Sequence, residues 1–390
     1  MSRATAATAT ADVVIVGGGV MGTSLAYHLA ERGVRHVILL EKEELASGST
    51  GRSAAFIRHH YSNRVTAEMA HHSRLVFENF EALTGRPSDF HKTGYLVLVS
   101  AGDEEAFREN LALHQALGIA AEEIPLEEVQ RLFPQVKTEG LATAGYERDS
   151  GYADPVSVTY GFAGRARELG VEIRLGTRLI GIELKGGRVQ AALTDKGRIE
   201  TRVLVNAAGP WAKEVGRMAG IDLPLRLLRH QIFLFLPPFP PTCSGTDLGT
   251  LYFRPEGPDQ FLIGGGQDEE VKDPDDYPQG VDQEALHEVG RRGVERFQGF
   301  EEARFYRGWS GLFTVTPDWH PILGETEVEG FYLAVGFSGH GFKLAPMIGR
   351  CLAELIVDGK AQTIDISPLR LARFAEGKLL SSKYKLNVLA

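Results

Sequence analysis

The stretch VVIVGGGVMG, residues 13–22, decides the fold, and Glu41 at the end of the following VRHVILLE decides what the fold holds. Val13 to Val16 is a short β-branched run of the kind that forms a buried parallel strand, and the residues beyond Gly22 read as an amphipathic helix closed by Gly33. Each glycine serves a separate purpose. Gly17 permits the tight strand-to-helix turn, Gly19 lets a pyrophosphate approach the backbone, and Gly22 lets helix and strand pack closely. Val20 and Met21 complete the predicted cofactor contacts of this turn, where unpaired N–H groups and the positive end of the helix dipole stabilise phosphate. Glu41 lies nineteen residues beyond Gly22, placed to accept hydrogen bonds from a ribose diol, and its charge opposes a 2′-phosphate and so disfavours NADP.

A chain of 390 residues exceeds the size at which single cores stop growing, so two domains are expected. It is 43% hydrophobic and 24% charged, an ordinary globular composition, and its net charge of −9 argues against nucleic-acid or basic membrane-surface binding. No stretch approaches the roughly 18 apolar residues of a membrane span, and the opening MSRATAATATA has no apolar core of a signal peptide; it reads as a disordered lead-in. Cys243 and Cys351 stand far apart, which suits a reducing cytoplasm and indicates neither a disulfide framework nor a zinc site. Cys351 falls on the apolar face of a predicted helix, where buried packing is its default role.

The spacing predicts a helix over about Val65 to Leu83, a strand over TGYLVLVS at 93–100, and helical structure over 102–132. Residues 171–209 alternate in period two and read as a β-meander running into a last apolar strand, RVLVNAAG. The proline-rich 224–320, with HQIFLFL, GTLYFRP and QFLIGGG, suits an antiparallel sheet, after which FYLAVGF, SGHGF and a helix from about Leu344 return to the first pattern. The fold class expected is α/β, a Rossmann-like glutathione-reductase-type domain from 1–85, 151–223 and 318–375. An antiparallel-sheet substrate domain from 86–150 and 224–317 is inserted into it, and 376–390 forms a C-terminal tail.

Four further stretches narrow the cofactor. ASGSTGRSAAFIRHHYS after Glu41, VNAAGPW at 205–211, TPDWHPILG at 316–324 and GFSGHGFK at 336–343 occur in an order and spacing that resembles the glycine, sarcosine and D-amino-acid oxidase family, over nearly the whole chain and most closely the sarcosine oxidases and related β-subunits. The resemblance implies FAD in an extended form, its isoalloxazine at the domain junction. It implies contacts from Lys42, Ser49, Thr50, Arg52, Ser53, Ala54 and Ala55; from the backbone around Leu179 at the adenine; from Ala208, Gly209 and Trp211; from Gly311; and from Gly339, His340, Gly341, Phe342 and Lys343.

Physics supports the last stretch independently: a glycine-rich turn opening a helix aims N–H groups and a positive dipole outward, which stabilises charge building on a reduced flavin, and Lys343 adds a full charge. An exposed lysine at a helix start is the alternative. Arg58, in AFIRHHY, stands where sarcosine oxidases carry an arginine for the substrate carboxylate, and its fork suits that planar group; a structural ion pair is the other reading. Arg58 and Lys343 together would clamp an amino-acid carboxylate over the flavin. Among the histidines, His59 or His60 stands next to Arg58 and is a candidate to tune the amine's protonation, and His340 to contact the flavin. The adjacent pairs His59-His60 and His71-His72 point different ways and do not chelate one metal, so no metal is expected. Tyr252 and Arg254 are candidates for the pocket wall.

Three departures from the sarcosine oxidases stand out. Gly311 and Phe313 occupy the places of the flavin-linking cysteine and its tyrosine, so FAD is expected to be non-covalent. The strand QFLIGGGQ lacks the lysine that promotes reaction with oxygen. GYADP lacks the histidine that holds FMN in the heterotetrameric β-subunits. The reading is FAD-dependent oxidative demethylation of sarcosine or a similar N-methyl or secondary amino acid, the imine hydrolysing and oxygen giving hydrogen peroxide, by a cytoplasmic monomer or homo-oligomer. The alternatives are a dehydrogenase passing electrons to a partner or quinone, an oxidase for glycine, proline or a D-amino acid, an NAD-dependent dehydrogenase, and a non-catalytic flavin-binding subunit.

Overall fold

The computed structural model describes residues 9–248, 251–266 and 268–384. A six-stranded sheet holds the glycine-rich turn at its centre. Its strands run Ile322–Glu325, Phe331–Val335, Val203–Asn206, Val13–Val16, Val37–Leu40 and Glu172–Arg174, all parallel except the first, which is antiparallel to its neighbour. Both faces are covered, which is why Val13–Val16 is apolar at every position and buried throughout. On one face lies helix Val20–Glu31 between helices Pro155–Glu168 and Gly341–Asp358. The other face packs against the meander 179–200, with Leu179, Val189, Ala192 and Ile199 meeting Val14, Val16, Ile38 and Leu40.

Two details fix helix Gly341–Asp358, whose start faces the site. A Cβ at Gly349 would stand 2.3 Å from Ser24 Oγ, so only glycine allows this crossing with helix Val20–Glu31, and Ser24 Oγ donates to the Ala345 carbonyl at 2.8 Å. Pro346 lies inside the helix and lacks an N–H, and the Ser73 hydroxyl enters the local break to accept from Met347 N at 3.2 Å.

The second sheet has nine strands drawn from 95–147 and 226–315. Its long ribbon pairs Arg226–Leu236 with Arg304–Val315. It is antiparallel except that Gly245–Asp247 runs parallel to Tyr95–Ser100. Phenylalanines at 233, 253, 261, 297 and 300 fill its outer core.

Several local expectations need correction. The helix expected over Val65–Leu83 breaks at Asn79 into Arg64–Glu78 and Phe80–Thr84. Residues 102–132 are not continuously helical: Gly118 takes a positive φ of 75°, and Ala121–Ile124 forms a strand whose two exposed glutamates mask it in the sequence. Within 171–209, Glu172–Arg174 leaves the meander to join the parallel sheet as an edge. Of the expected lead-in, Ala9–Thr10 is a strand, parallel to Gly197–Glu200, and residues 1–8 lie outside the described residues. Of the tail, Lys383 N donates to Ser62 Oγ and Tyr384 is buried, while 385–390 lie outside the described residues. Both cysteines are free and buried. No described helix is long and apolar enough to cross a membrane.

Candidate active site

A cavity of about 410 Å³ runs from the glycine-rich turn to the face of the second sheet, within the size range of cofactor and ligand sites. At its first end Gly17 adopts φ +116°, and a Cβ there would stand 2.3 Å from the Ala207 carbonyl oxygen, so the turn tolerates only glycine. Helix Val20–Glu31 starts from Gly19 without a side-chain cap, which leaves its first turn directed at the cavity, though Val20 N has the Thr50 hydroxyl at 3.2 Å. Glu41 lines the cavity and is held in place: Oε2 accepts from Gly18 N at 2.7 Å and Oε1 from Glu43 N at 2.8 Å. Lys42 lies 3.6 Å from the centre of the Trp211 ring, and both side chains bond Asp275.

The loop 49–55 forms the middle wall, stitched to strand Arg304–Val315. Ser49 Oγ donates to the Leu312 carbonyl at 2.7 Å, Arg52 to the Ser310 carbonyl at 3.2 Å, and Trp309 Nε1 to the Arg52 carbonyl at 3.1 Å. Ala55, at φ 52°, is held in a strained backbone conformation by Ser53 Oγ, which accepts from its N–H at 3.0 Å.

The far end is cationic. Arg58 and Lys343 are both buried and both line the cavity. The guanidinium carbon lies 4.6 Å from the centre of the Tyr61 ring and Lys343 Nζ 5.9 Å from it. Arg58 donates to the His60 carbonyl, and among the described residues neither cation is ion-paired with a carboxylate. Burial, and then Arg58, hold the Lys343 ammonium well below its ordinary pKa. His340, also pushed well down by burial and by the two cations, packs edge-on to Tyr61 with ring centres 5.6 Å apart. Its Nε2 and the Tyr61 hydroxyl are buried with no protein partner.

Facing this end, Tyr252 Oη lies 2.6 Å from His230 Nε2, and His230 Nδ1 lies 2.7 Å from Asp268 Oδ1. Burial, followed by the Asp268 charge, pushes the Tyr252 phenol up, so it donates to Nε2 while Nδ1–H donates to the carboxylate. His230 stacks on Phe313 at 4.4 Å. All four residues line the cavity. Sequence reasoning misses His230 and Asp268; alternation along the strand HQIFLFL is the one signal that bears on which way its histidine faces.

Of the residues expected to contact cofactor or substrate, all reach the cavity wall except Gly22 and His59. Gly22 lies beneath it: a Cβ there would stand 2.0 Å from the Gly17 carbonyl oxygen, so its contribution is close packing rather than cofactor contact. His59 is turned away, its Nδ1 3.0 Å from Ser150 Oγ and its backbone N–H donating to Glu147 at 2.8 Å. The further candidates His60 and Arg254 also stay behind the wall. His60 is buried, pushed down to about 3 by burial and then His114, and Arg254 Nε donates to the Ala54 carbonyl at 2.7 Å, holding the loop rather than a ligand. Burial raises the Glu147 carboxyl, but the His59 hydrogen bond and neighbouring imidazoles outweigh it and hold the pKa below the usual range.

A glycine-rich turn at a parallel-sheet centre, a pinned acid just after the next strand and a second sheet closing the cavity define a dinucleotide-binding protein. The chain belongs to the DAO family, described as FAD dependent oxidoreductase, which it matches over residues 12–355. FAD is its cofactor. The chain is 29% identical to FAD-dependent oxidoreductase domain-containing protein 1 of Bos taurus, over 94% of this chain and 85% of that one. It is 27% identical to sarcosine oxidase subunit beta of Rhodobacter capsulatus, over 95% and 90%. Its fold superposes on L-proline dehydrogenase from P. horikoshii with a TM-score of 0.89 at 28% identity, covering 96% of this chain and all of that one.

Proposed function

We propose that the protein oxidises a small secondary or N-methyl amino acid, sarcosine first among them. The observation that carries this reading is the pair of buried cations, Arg58 and Lys343, with no carboxylate of the described residues paired to them. Buried charge requires a counter-ion, and a bound carboxylate answers both. It would also raise the Lys343 pKa that burial and Arg58 hold down. On this reading Arg58 and Lys343 orient the substrate, and the line Tyr252–His230–Asp268 takes the proton its ammonium loses before oxidation. FAD, when bound, supplies the two-electron acceptor. Water then hydrolyses the released imine, which for sarcosine gives glycine and formaldehyde.

FAD is held without a covalent link at position 311: Gly311 has no side chain, and a Cβ there would meet Arg52 Cβ at 3.1 Å. Transfer of the electrons to oxygen, giving hydrogen peroxide, is one outcome. Transfer to a partner is the second reading, and one feature favours it. A side chain at Gly264 would strike the Tyr252 ring at 2.0 Å, so this part of QFLIGGG cannot carry an oxygen-activating lysine while Tyr252 keeps its place. The resemblance to a proline dehydrogenase supports the same reading and extends the substrate panel to cyclic secondary amines. We assign the protein to the cytoplasm, as a monomer or homo-oligomer.

The test mixes the purified holoprotein with N-methyl, cyclic and primary amino acids, following flavin absorbance without oxygen and peroxide with it. Bleaching by secondary amino acids supports the assignment, and peroxide separates oxidase from dehydrogenase. Absence of bleaching by every amine refutes it.

A further inference from the structure

Behind the cationic end of the cavity, on the side away from it, lies a buried set of ligating side chains that the amine chemistry does not use. His60 follows the short strand Phe56–Ile57, His114 lies in the last turn of helix Glu104–Ala116, and Glu147 ends strand Leu141–Glu147. All three are buried, and one donor atom from each lies within 4.8 Å of the other two.

The hydrogen bonds around them leave one donor atom of each uncommitted. Glu147 uses Oε2 alone, accepting from His59 N at 2.8 Å and Ser150 Oγ at 2.7 Å, while Oε1 is buried with no partner. His114 has Nε2 2.9 Å from the Tyr61 carbonyl oxygen and 3.2 Å from the Tyr61 amide nitrogen. In the tautomer that donates Nε2–H to the carbonyl, Nδ1, buried and without a partner, carries a lone pair. His60 has Nε2 2.6 Å from the Tyr384 hydroxyl, so its Nδ1 is the nitrogen left over. Two imidazoles, each with Nε2 against an oxygen, and a carboxylate held through one oxygen only, resemble the supporting hydrogen bonds that orient metal ligands. An unpartnered carboxylate oxygen and an unpartnered imidazole nitrogen are each costly to bury, and one cation would satisfy both.

We propose that His60, His114 and Glu147 form a divalent-metal site, taking zinc through two imidazole nitrogens and one carboxylate oxygen. Zinc accepts this donor set at bond lengths of about 2.0–2.2 Å, with a fourth position for water. The 4.8 Å limit means that the side chains draw inward on binding. The adjacency of His59 and His60 does not bear on this, because the partners of His60 are 54 and 87 residues away in the chain. The site would brace the segment that carries Arg58 and Tyr61, since His114 holds the Tyr61 backbone and Arg58 donates to the His60 carbonyl. The proposal is independent of which amine is oxidised.

The test measures metal in the FAD-loaded full-length protein, grown with zinc and passed over a chelating resin, by plasma mass spectrometry. Stoichiometric zinc is expected. It should fall to traces in His114→Gln and Glu147→Gln, judged on FAD-retaining protein, and persist when the exposed His36 is changed to Gln. Should a variant fail to fold, the wild type decides: stripped with chelator, its melting midpoint should rise by several degrees on adding zinc, as binding to the native state alone requires. Trace metal with no rise in midpoint overturns the proposal, as does zinc that survives both substitutions. Stoichiometric iron in place of zinc overturns the choice of metal.

Discussion

Replacing Arg58 by alanine removes one of two cations that the fold buries without an anion of its own. Truncating one partner of a buried, hydrogen-bonded charge pair costs about 2–5 kcal/mol. The lower half of that range applies here, because Lys343 remains and, with Arg58's repulsion gone, holds its proton more firmly. Carboxylate affinity should therefore fall by about 2–3 kcal/mol, roughly 30- to 150-fold in Kd. The assay titrates a non-oxidisable carboxylate analogue into the holoprotein and follows the perturbation of the flavin spectrum, with the oxidised-flavin absorbance reporting FAD content. FAD should be retained, since the glycine-rich turn and Glu41 are untouched. A change in Kd of less than about threefold, with FAD in place, would refute the clamp.

Gly17→Ala should abolish FAD retention, because the new Cβ would stand 2.3 Å from a backbone oxygen at φ +116°; full flavin absorbance in the purified variant contradicts that reading. Tyr252→Phe should lower kcat/KM on the order of 10²-fold, the range of a lost general acid or base, with FAD retained and the pH profile reshaped; an unchanged profile removes Tyr252 from the proton path. Asp318 pairs with Arg373 at 2.8 Å, both buried. Burial raises the Asp318 carboxyl, but the Arg373 hydrogen bonds outweigh it, so its folded pKa lies below the unfolded one. Its stabilising contribution is present above the unfolded carboxylate pKa of about 3.9 and is lost as pH falls through the folded value. Asp318→Asn should cost about 3–5 kcal/mol near neutrality, measured by denaturant unfolding, and flatten the acid limb of stability; a variant as stable as wild type refutes the assignment.

The glycine-rich turn is legible in the sequence because its spacing is local, Gly17, Gly19 and Gly22 leading to Glu41 through one βαβ unit, although Gly17 packs against the distant Ala207. The cationic pair is legible through the resemblance and through the chemistry of arginine and lysine, although Arg58 and Lys343 are 285 residues apart. The wall opposite is not. Tyr252, His230 and Asp268 meet only because the strands that carry or precede them share a sheet, and no spacing along the chain encodes that pairing. His59 misses the cavity because Glu147 and Ser150, distant in the chain, hold its backbone and ring, which no local pattern announces. The strand Ala121–Ile124, with its two exposed glutamates, forms by pairing with Leu141–Glu147, a tertiary contact that overrides local pattern.

The central claim is that the carboxylate, not the amine alone, is what the buried cations select. The most direct measurement is anaerobic flavin bleaching by sarcosine set against dimethylamine, which keeps the N-methyl group and lacks the carboxylate. Rapid bleaching by sarcosine and none by dimethylamine at equal concentration is the predicted result. Equal bleaching by both would contradict the account.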